Sequence, residues 1–179
     1  AVVTFDPILT MEWAYELMNE QGTAVVIPDI ITTIADDAFY DINLSFYDRE
    51  AFLENKLTSV VIPDSVTSIG VGAFGGHNLT TAVIGNKVSS IGDSAFLNNE
   101  LTSVVIPEGV TSIGYGAFAG NQLTSVVIPD SVTSIGDYVF TSNWIKGDHK
   151  LGTSLESISI PEDPSFFIPY PPKGVEIIR

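Results

Sequence analysis

Residues 57–78 read LTSVVIPDSVTSIGVGAFGGHN. The phrase returns as LTTAVIGNKVSSIGDSAFLNNE from Leu79, LTSVVIPEGVTSIGYGAFAGNQ from Leu101 and LTSVVIPDSVTSIGDYVFTSNW from Leu123. Each start lies 22 residues after the last, with nothing inserted. A fixed period of this length marks a chain wound as stacked coils, each burying its apolar side chains against its neighbours.

The coil from Leu101 shows why. Leu101, Val104 and Ile106 point inward while Ser103 and Val105 alternate outward, as strand geometry of period two demands. Pro107 has no N–H to donate and closes the strand, and Glu108-Gly109 makes the turn. Val110 and Ile113 face inward on a second extended piece with Thr111 and Ser112 outside. Gly114 is expected to permit the next bend. Ala117-Phe118 then returns the chain across the end of the core, with Asn121 three residues later.

Working outward from these coils, the N-terminal side opens with an apolar AVVTF, which suits an edge strand or packing under a cap. DPILTMEWAYELMNEQG follows, with Asp6 as N-cap, Pro7 at the first helical position and Gly22 as stop. Leu9, Trp13 and Leu17 fall on one face, so an amphipathic helix is expected over roughly 7–20. It caps the open end of the stack. Val25-Val26-Ile27-Pro28-Asp29 and Ile34…Ala38-Phe39 then repeat the coil phrase. Ala51 to Lys56 repeats a coil ending, so Leu44–Lys56 reads as a coil shortened to 13 residues. After Trp144, IKGDHKLGTS intervenes before LESISIPED (155–163) resumes the strand phrase. Five prolines between Pro161 and Pro172 favour an extended tail, with Phe166-Phe167-Ile168 folding back as a cap or the tail serving as a linker.

The chain resembles the BspA-like (Treponema pallidum type) bacterial leucine-rich repeats, whose phrase is roughly L-x-x-I-x-I-P-x-x-V-x-x-I-G-x-x-A-F-x-x-[CN]. Here it stands as LTSVVIPEGVTSIGYGAFAGN, and the likeness covers roughly residues 22–162. Two departures stand out: a 22-residue coil where about 23 is usual, and Asn where Cys is frequent. The expected fold is a mostly β, α/β-type repeat solenoid, a right-handed leucine-rich-repeat coil of 22-residue repeats with an N-terminal helical cap. Its parts are a cap over 1–21, a solenoid over 22–162 interrupted at 40–56 and 145–154, and a Pro-rich cap or linker over 163–179. The resemblance implies an exported or surface-displayed bacterial protein that adheres to proteins of a host or neighbouring cell, with no catalytic activity.

Composition narrows the function. Seven Lys and Arg stand against 22 Asp and Glu, giving a net charge of −15 and a pI near 4.1. Such a chain repels nucleic acid and anionic membranes and stays monomeric by self-repulsion. There is no cysteine for a disulfide or thiolate metal site. No apolar run approaches the ~20 residues that span a bilayer.

No catalytic, cofactor or metal site is expected. The only two histidines, His77 and His149, are far apart and form no zinc pattern. Asp36, Asp37, Asp41, Asp48 and Glu50 have oxygen ligands for Ca²⁺ but lack a spaced calcium loop. Serines and threonines recur with the repeat, and no one of them pairs with a base. Asn55, Asn99, Asn121 and Asn143 form a column in which amides bridge adjacent coils. His77 replaces the amide once, with Asn78 beside it as a substitute.

The outward columns are the candidate binding face. Val61, Val83, Val105 and Val127, flanked by Ser59, Thr81, Ser103 and Ser125, make an apolar stripe edged with hydroxyls. A second array, Thr67/Ser89/Thr111/Thr133 with Ser68/Ser90/Ser112/Ser134, offers a flat hydroxyl surface for glycans or ice, or else serves local backbone groups. The alternative to adhesion is a structural spacer or self-associating envelope module.

Overall fold

The computed structural model describes residues 8–39, 56–143, 155–163, 165–169, 171–173 and 175–179. Short parallel strands stack rung on rung along two sides of each coil. The longest row joins six two-residue strands in spatial order: β1 (Ile8–Leu9), β3 (Thr33–Ile34), β5 (Ser68–Ile69), β7 (Ser90–Ile91), β8 (Ser112–Ile113) and β10 (Ser134–Ile135). The other side splits into two rows. One holds β2 (Ala24–Val26), β4 (Ser59–Val61) and β6 (Thr81–Val83); the other holds β9 (Ser125–Val127), β11 (Ser157–Ser159) and β12 (Glu176–Ile178). The third side has no strand but carries its own ladder. Phe74 N–H donates to Ala95 C=O at 2.8 Å, Phe96 to Ala117 at 2.8 Å and Phe118 to Val139 at 3.0 Å.

The core lies where the repeat places it. Leu101, Val110, Ile113, Ala117 and Phe118, with their equivalents in neighbouring coils, are buried. Phe39, Phe74, Phe96, Phe118 and Phe140 form one stacked column, centroid spacings running from 5.1 to 6.1 Å.

The helix α1 spans Met11–Gln21, not 7–20, and its N-cap is Thr10, without a side-chain cap bond. Ile8 and Leu9 instead form β1, in register with Thr33 and Ile34. An extended Leu9 is fully buried against the end of the core, and its C=O accepts the Ala35 N–H at 2.9 Å, two gains the first turn of a helix could not match. Asp6 and Pro7 lie outside the described residues. Ala14 is buried, and Trp13, Leu17 and Met18 pack against the core. Gly22 ends the helix at φ 74°.

Among the described residues no rung stands between the first coil and the Leu57 coil. Ala24–Val26 pairs directly with Ser59–Val61, and Phe39 N–H bonds Ala73 C=O at 2.8 Å, so the first coil sits straight on the Leu57 coil. Thirteen residues cannot circle a core that takes 22. Residues 40–55 themselves lie outside the described set, as do 144–154. Past the second interruption, Ser157–Ser159 stacks in register on Ser125–Val127.

The tail adds one more rung, since Glu176–Ile178 pairs with Ser157–Ser159. Phe166 and Ile168 are buried, while Phe167 is exposed. Asp163 fastens the tail: its carboxylate accepts the Ser165 hydroxyl at 2.7 Å and the Ser165 N–H at 2.8 Å. These bonds, with Arg179 nearby, hold its pKa below the usual carboxylate value. The fastening is therefore present above that usual value and is lost as pH falls through the lowered one.

The chain does turn after Gly114, whose C=O accepts Ala117 N–H at 3.4 Å, but its φ lies outside the left-handed region, so the bend itself does not require glycine. A Cβ there would stand 2.4 Å from Asp93 N and 2.6 Å from Gly92 C in the coil beneath. Gly70, Gly92 and Gly136 meet the same obstacle, so this column exists to let backbones touch. Ala35 holds the position in the first coil, where the adjoining rung is only the two-residue β1. Gly114→Ala should cost roughly 3 kcal/mol by forcing two coils apart, read as a lower urea midpoint. An unmoved midpoint would show that the coils can separate at no cost.

Candidate functional site

The strand face is built by the alternation of inner and outer residues. Val60 and Val126 are buried, while Val61, Val83, Val105 and Val127 are exposed by 38, 50, 80 and 66%. Val26, 55% exposed, pairs with Val61, which pairs with Val83. Val127 continues to Ser159 and then Ile178, 41% exposed. The apolar stripe is therefore longer than the four valines of the regular coils. Val26 was legible from its match to Val61; Ile178 was hidden because its rung lacks the repeat phrase. Thr81, Ser103 and Ser125 are exposed beside the stripe and Ser59 is half-buried.

The stripe breaks in the middle. Among the described residues, Ser103–Val105 forms no strand and pairs with neither the Thr81 nor the Ser125 rung, contrary to the strand expected there. Ala82 is the physical reason. It stands where other rungs carry Val60, Val104 and Val126, and its smaller side chain leaves Val104 only half-buried. Val105 is the most exposed valine of the stripe.

The amide column is structural in every detail. The Asn121 carbonyl oxygen accepts Leu101 N–H at 3.1 Å, and its Nδ2 donates to Phe96 and Phe118 carbonyls at 2.9 and 3.0 Å. Asn99 and Asn143 repeat the pattern. His77 replaces the amide unaided: Nδ1 accepts Leu57 N–H at 3.3 Å and Nε2–H donates to Phe39 C=O. Those two partners fix the neutral Nε2–H tautomer. Asn78 does not supply a missing amide; its side chain is exposed and only its backbone N–H is engaged, with Leu57 C=O. Asn55 and His149 fall outside the described residues.

One file of the threonine and serine array spends its hydroxyls on the backbone. Thr67, Ser89, Thr111 and Thr133 each donate to the equivalent carbonyl of the preceding coil, between 3.0 and 3.3 Å. The hydroxyls of Ser68, Ser90, Ser112 and Ser134 make no such bond among the described residues. Asp36 is also engaged, accepting Val71 N–H at 2.7 Å. Asp41, Asp48 and Glu50 lie outside the described residues, among which no group of three metal-ligating side chains occurs. No helix there is long and apolar enough to cross a membrane.

The sequence has no match among curated proteins. The crystal structure of the T. pallidum leucine-rich-repeat protein TpLRR is similar at 27% identity and TM-score 0.62, covering 78% of this chain and 59% of that one. A leucine-rich-repeat protein from Eubacterium ventriosum is similar at 26% and 0.61, covering 78% and 32%. The pneumococcal vaccine antigen PcpA shares the fold at 22% and 0.58, covering 80% and 42%. The chain thus spans between about a third and three-fifths of these structures. The model of the BspA type leucine rich repeat region matches residues 45–166 in six copies, and with the stacked rungs and the asparagine column this places the chain in the BspA-type leucine-rich-repeat family.

Proposed function

We propose that the chain is a non-enzymatic protein-binding module of an exported or surface-displayed bacterial protein, engaging a protein of a host or neighbouring cell through its strand face. The observation that carries this is the exposed valine stripe from Val26 to Val127, edged by Thr81, Ser103 and Ser125. A monomer has no need for a row of half-bare valines, whereas an apolar stripe rimmed by hydroxyls suits a partner of matching shape. The irregular segments at 40–56 and 145–154 flank the regular coils in sequence, and we take them to add specificity.

Val83→Lys combined with Val105→Lys tests the face. Capture of surface proteins from host or neighbouring cells should fall at least about tenfold relative to the unsubstituted chain, while the melting temperature stays put. Undiminished capture would refute this face. A second reading, self-association, is favoured by the open edge of β12, where Ile177 and Ile178 are 40 and 41% exposed. The net charge of −15 opposes it. A mass in light scattering that rises with concentration would favour self-association over the monomeric module.

A further inference from the structure

A second surface shares no residue with the strand face. Each coil passes through the left-handed backbone region at the residue just before its core Ala or Val: Asp37, Gly72, Ser94, Gly116 and Tyr138, with φ between 54 and 63°. Small or short polar side chains fill this position everywhere except at Tyr138, φ 59°. A bulky residue there is a real outlier, and such strain gathers at sites of function. Thr141 holds it in place, donating both its N–H, at 3.2 Å, and its hydroxyl, at 3.0 Å, to Tyr138 C=O.

The strain sets a ring where the repeat offers none. Tyr138 meets Tyr115 edge to face, centroids 5.7 Å apart at 72°, and the two are 38 and 52% exposed. They border a shallow groove of about 410 Å³ with Gly116 and Gly120 beneath and Ser94, Asn98 and Ser142 along it. That volume falls in the ~300–1,000 Å³ range of small-ligand sites. A Cβ on Gly120 would lie 2.3 Å from Asn98 Oδ1, so the bare glycine is what lets the amide lie across the groove. Among the described residues the side chains of Ser94, Asn98 and Ser142 make no hydrogen bond.

We infer that this groove binds a neutral oligosaccharide with equatorial hydroxyls, of the β-1,4-linked hexose kind. Aromatic faces carry partial negative charge and attract the polarised C–H groups that such sugars present on their flat faces. The unengaged amide and hydroxyls match sugar hydroxyls as donors and acceptors. Asp93 and Asp137 next to the tyrosines, with a chain charge of −15, turn acidic saccharides away. A protein epitope is disfavoured by the groove's small size and its polar rim.

Saturation-transfer NMR on the full chain tests this with cellotetraose and chitotetraose, against α-linked maltotetraose and a uronate-containing tetrasaccharide. Transfer to one or both β-linked sugars is expected, with affinity at least about tenfold lower in Tyr115→Ala at an unchanged melting temperature. Tyr138→Gly should also abolish transfer while leaving the melting temperature equal or higher, because glycine adopts φ 59° freely. Tyr115 is exposed, so Tyr115→Ala carries the test even if Tyr138→Gly misfolds. Three results would overturn the site: no transfer to either β-linked sugar at millimolar concentration, equal transfer to the acidic one, or transfer indifferent to Tyr115→Ala. Loss of protein capture in Tyr115→Ala without any sugar signal would equally overturn it, making the groove a protein contact.

Discussion

Asn121→Leu, a change that hardly alters side-chain volume, is expected to cost about 3–6 kcal/mol, a large part of what a domain of this size possesses. Asn121 is wholly buried and joins two coils. It accepts from Leu101 N–H and donates to the carbonyls of Phe96 and Phe118. Leucine leaves those three backbone groups in the core without partners, and each orphan costs ~1–3 kcal/mol. Asn121→Asp separates the two halves of the amide's role. It keeps the oxygen for Leu101 N–H but sets acceptor against acceptor at both carbonyls, so it should be no better than leucine at neutral pH. His77→Asn is the counterpart: the ring already does an amide's work, so the change should stay within about 1 kcal/mol. Urea denaturation measures all three, with the midpoint moving and the slope held. A leucine variant as stable as the parent would mean that water, not Asn121, satisfies those backbone groups.

Why the interior was legible and the ends were not follows from the same geometry. Leu101, Val110, Ile113, Phe118 and Asn121 recur because each needs the same residue one coil away, so periodicity records their contacts directly. Val61, Val83, Val105 and Val127 were placed on the outer face by the same register, and all four are exposed. Among the described residues Ile8–Leu9 and Glu176–Ile178 have a neighbouring strand on one side only. Nothing in their sequence repeats, and the rungs they add came into view only through their pairing with Thr33–Ile34 and Ser157–Ser159. Gly114 was assigned correctly to the backbone but for the wrong reason, because proximity to Asp93 in another coil leaves no local signal. Tyr138 was invisible for a related cause: a sequence shows that a tyrosine departs from the pattern but not that its φ is positive.

Phe118→Ala should destabilise the chain by ~3–5 kcal/mol, and its cost should exceed that of the same change at Phe140. Phe118 is completely buried between two rings, 5.3 Å from Phe96 at 2° and 6.1 Å from Phe140 at 10°. Its removal loses the transfer energy of a large side chain and opens a void bounded by two flat rings. The coils on either side cannot collapse into that void, because Gly114 and the Phe118 N–H to Val139 bond already hold the backbones at contact. Two ring contacts, each worth ~0.5–1.5 kcal/mol beyond the area buried, go with it. Phe140 stacks on one described ring only, so it forfeits one such contact. Phe118→Leu, which fills most of the void, should cost less than about half as much. Because each coil is held only by its neighbours, a defect in mid-stack divides the solenoid into two shorter stacks, whereas one near the end removes a rung. Phe118→Ala should therefore broaden the urea transition as well as lower its midpoint. A fall at Phe140 equal to that at Phe118, with both transitions equally sharp, would mean that the phenylalanine column contributes rung by rung and does not bind the coils into one cooperative unit.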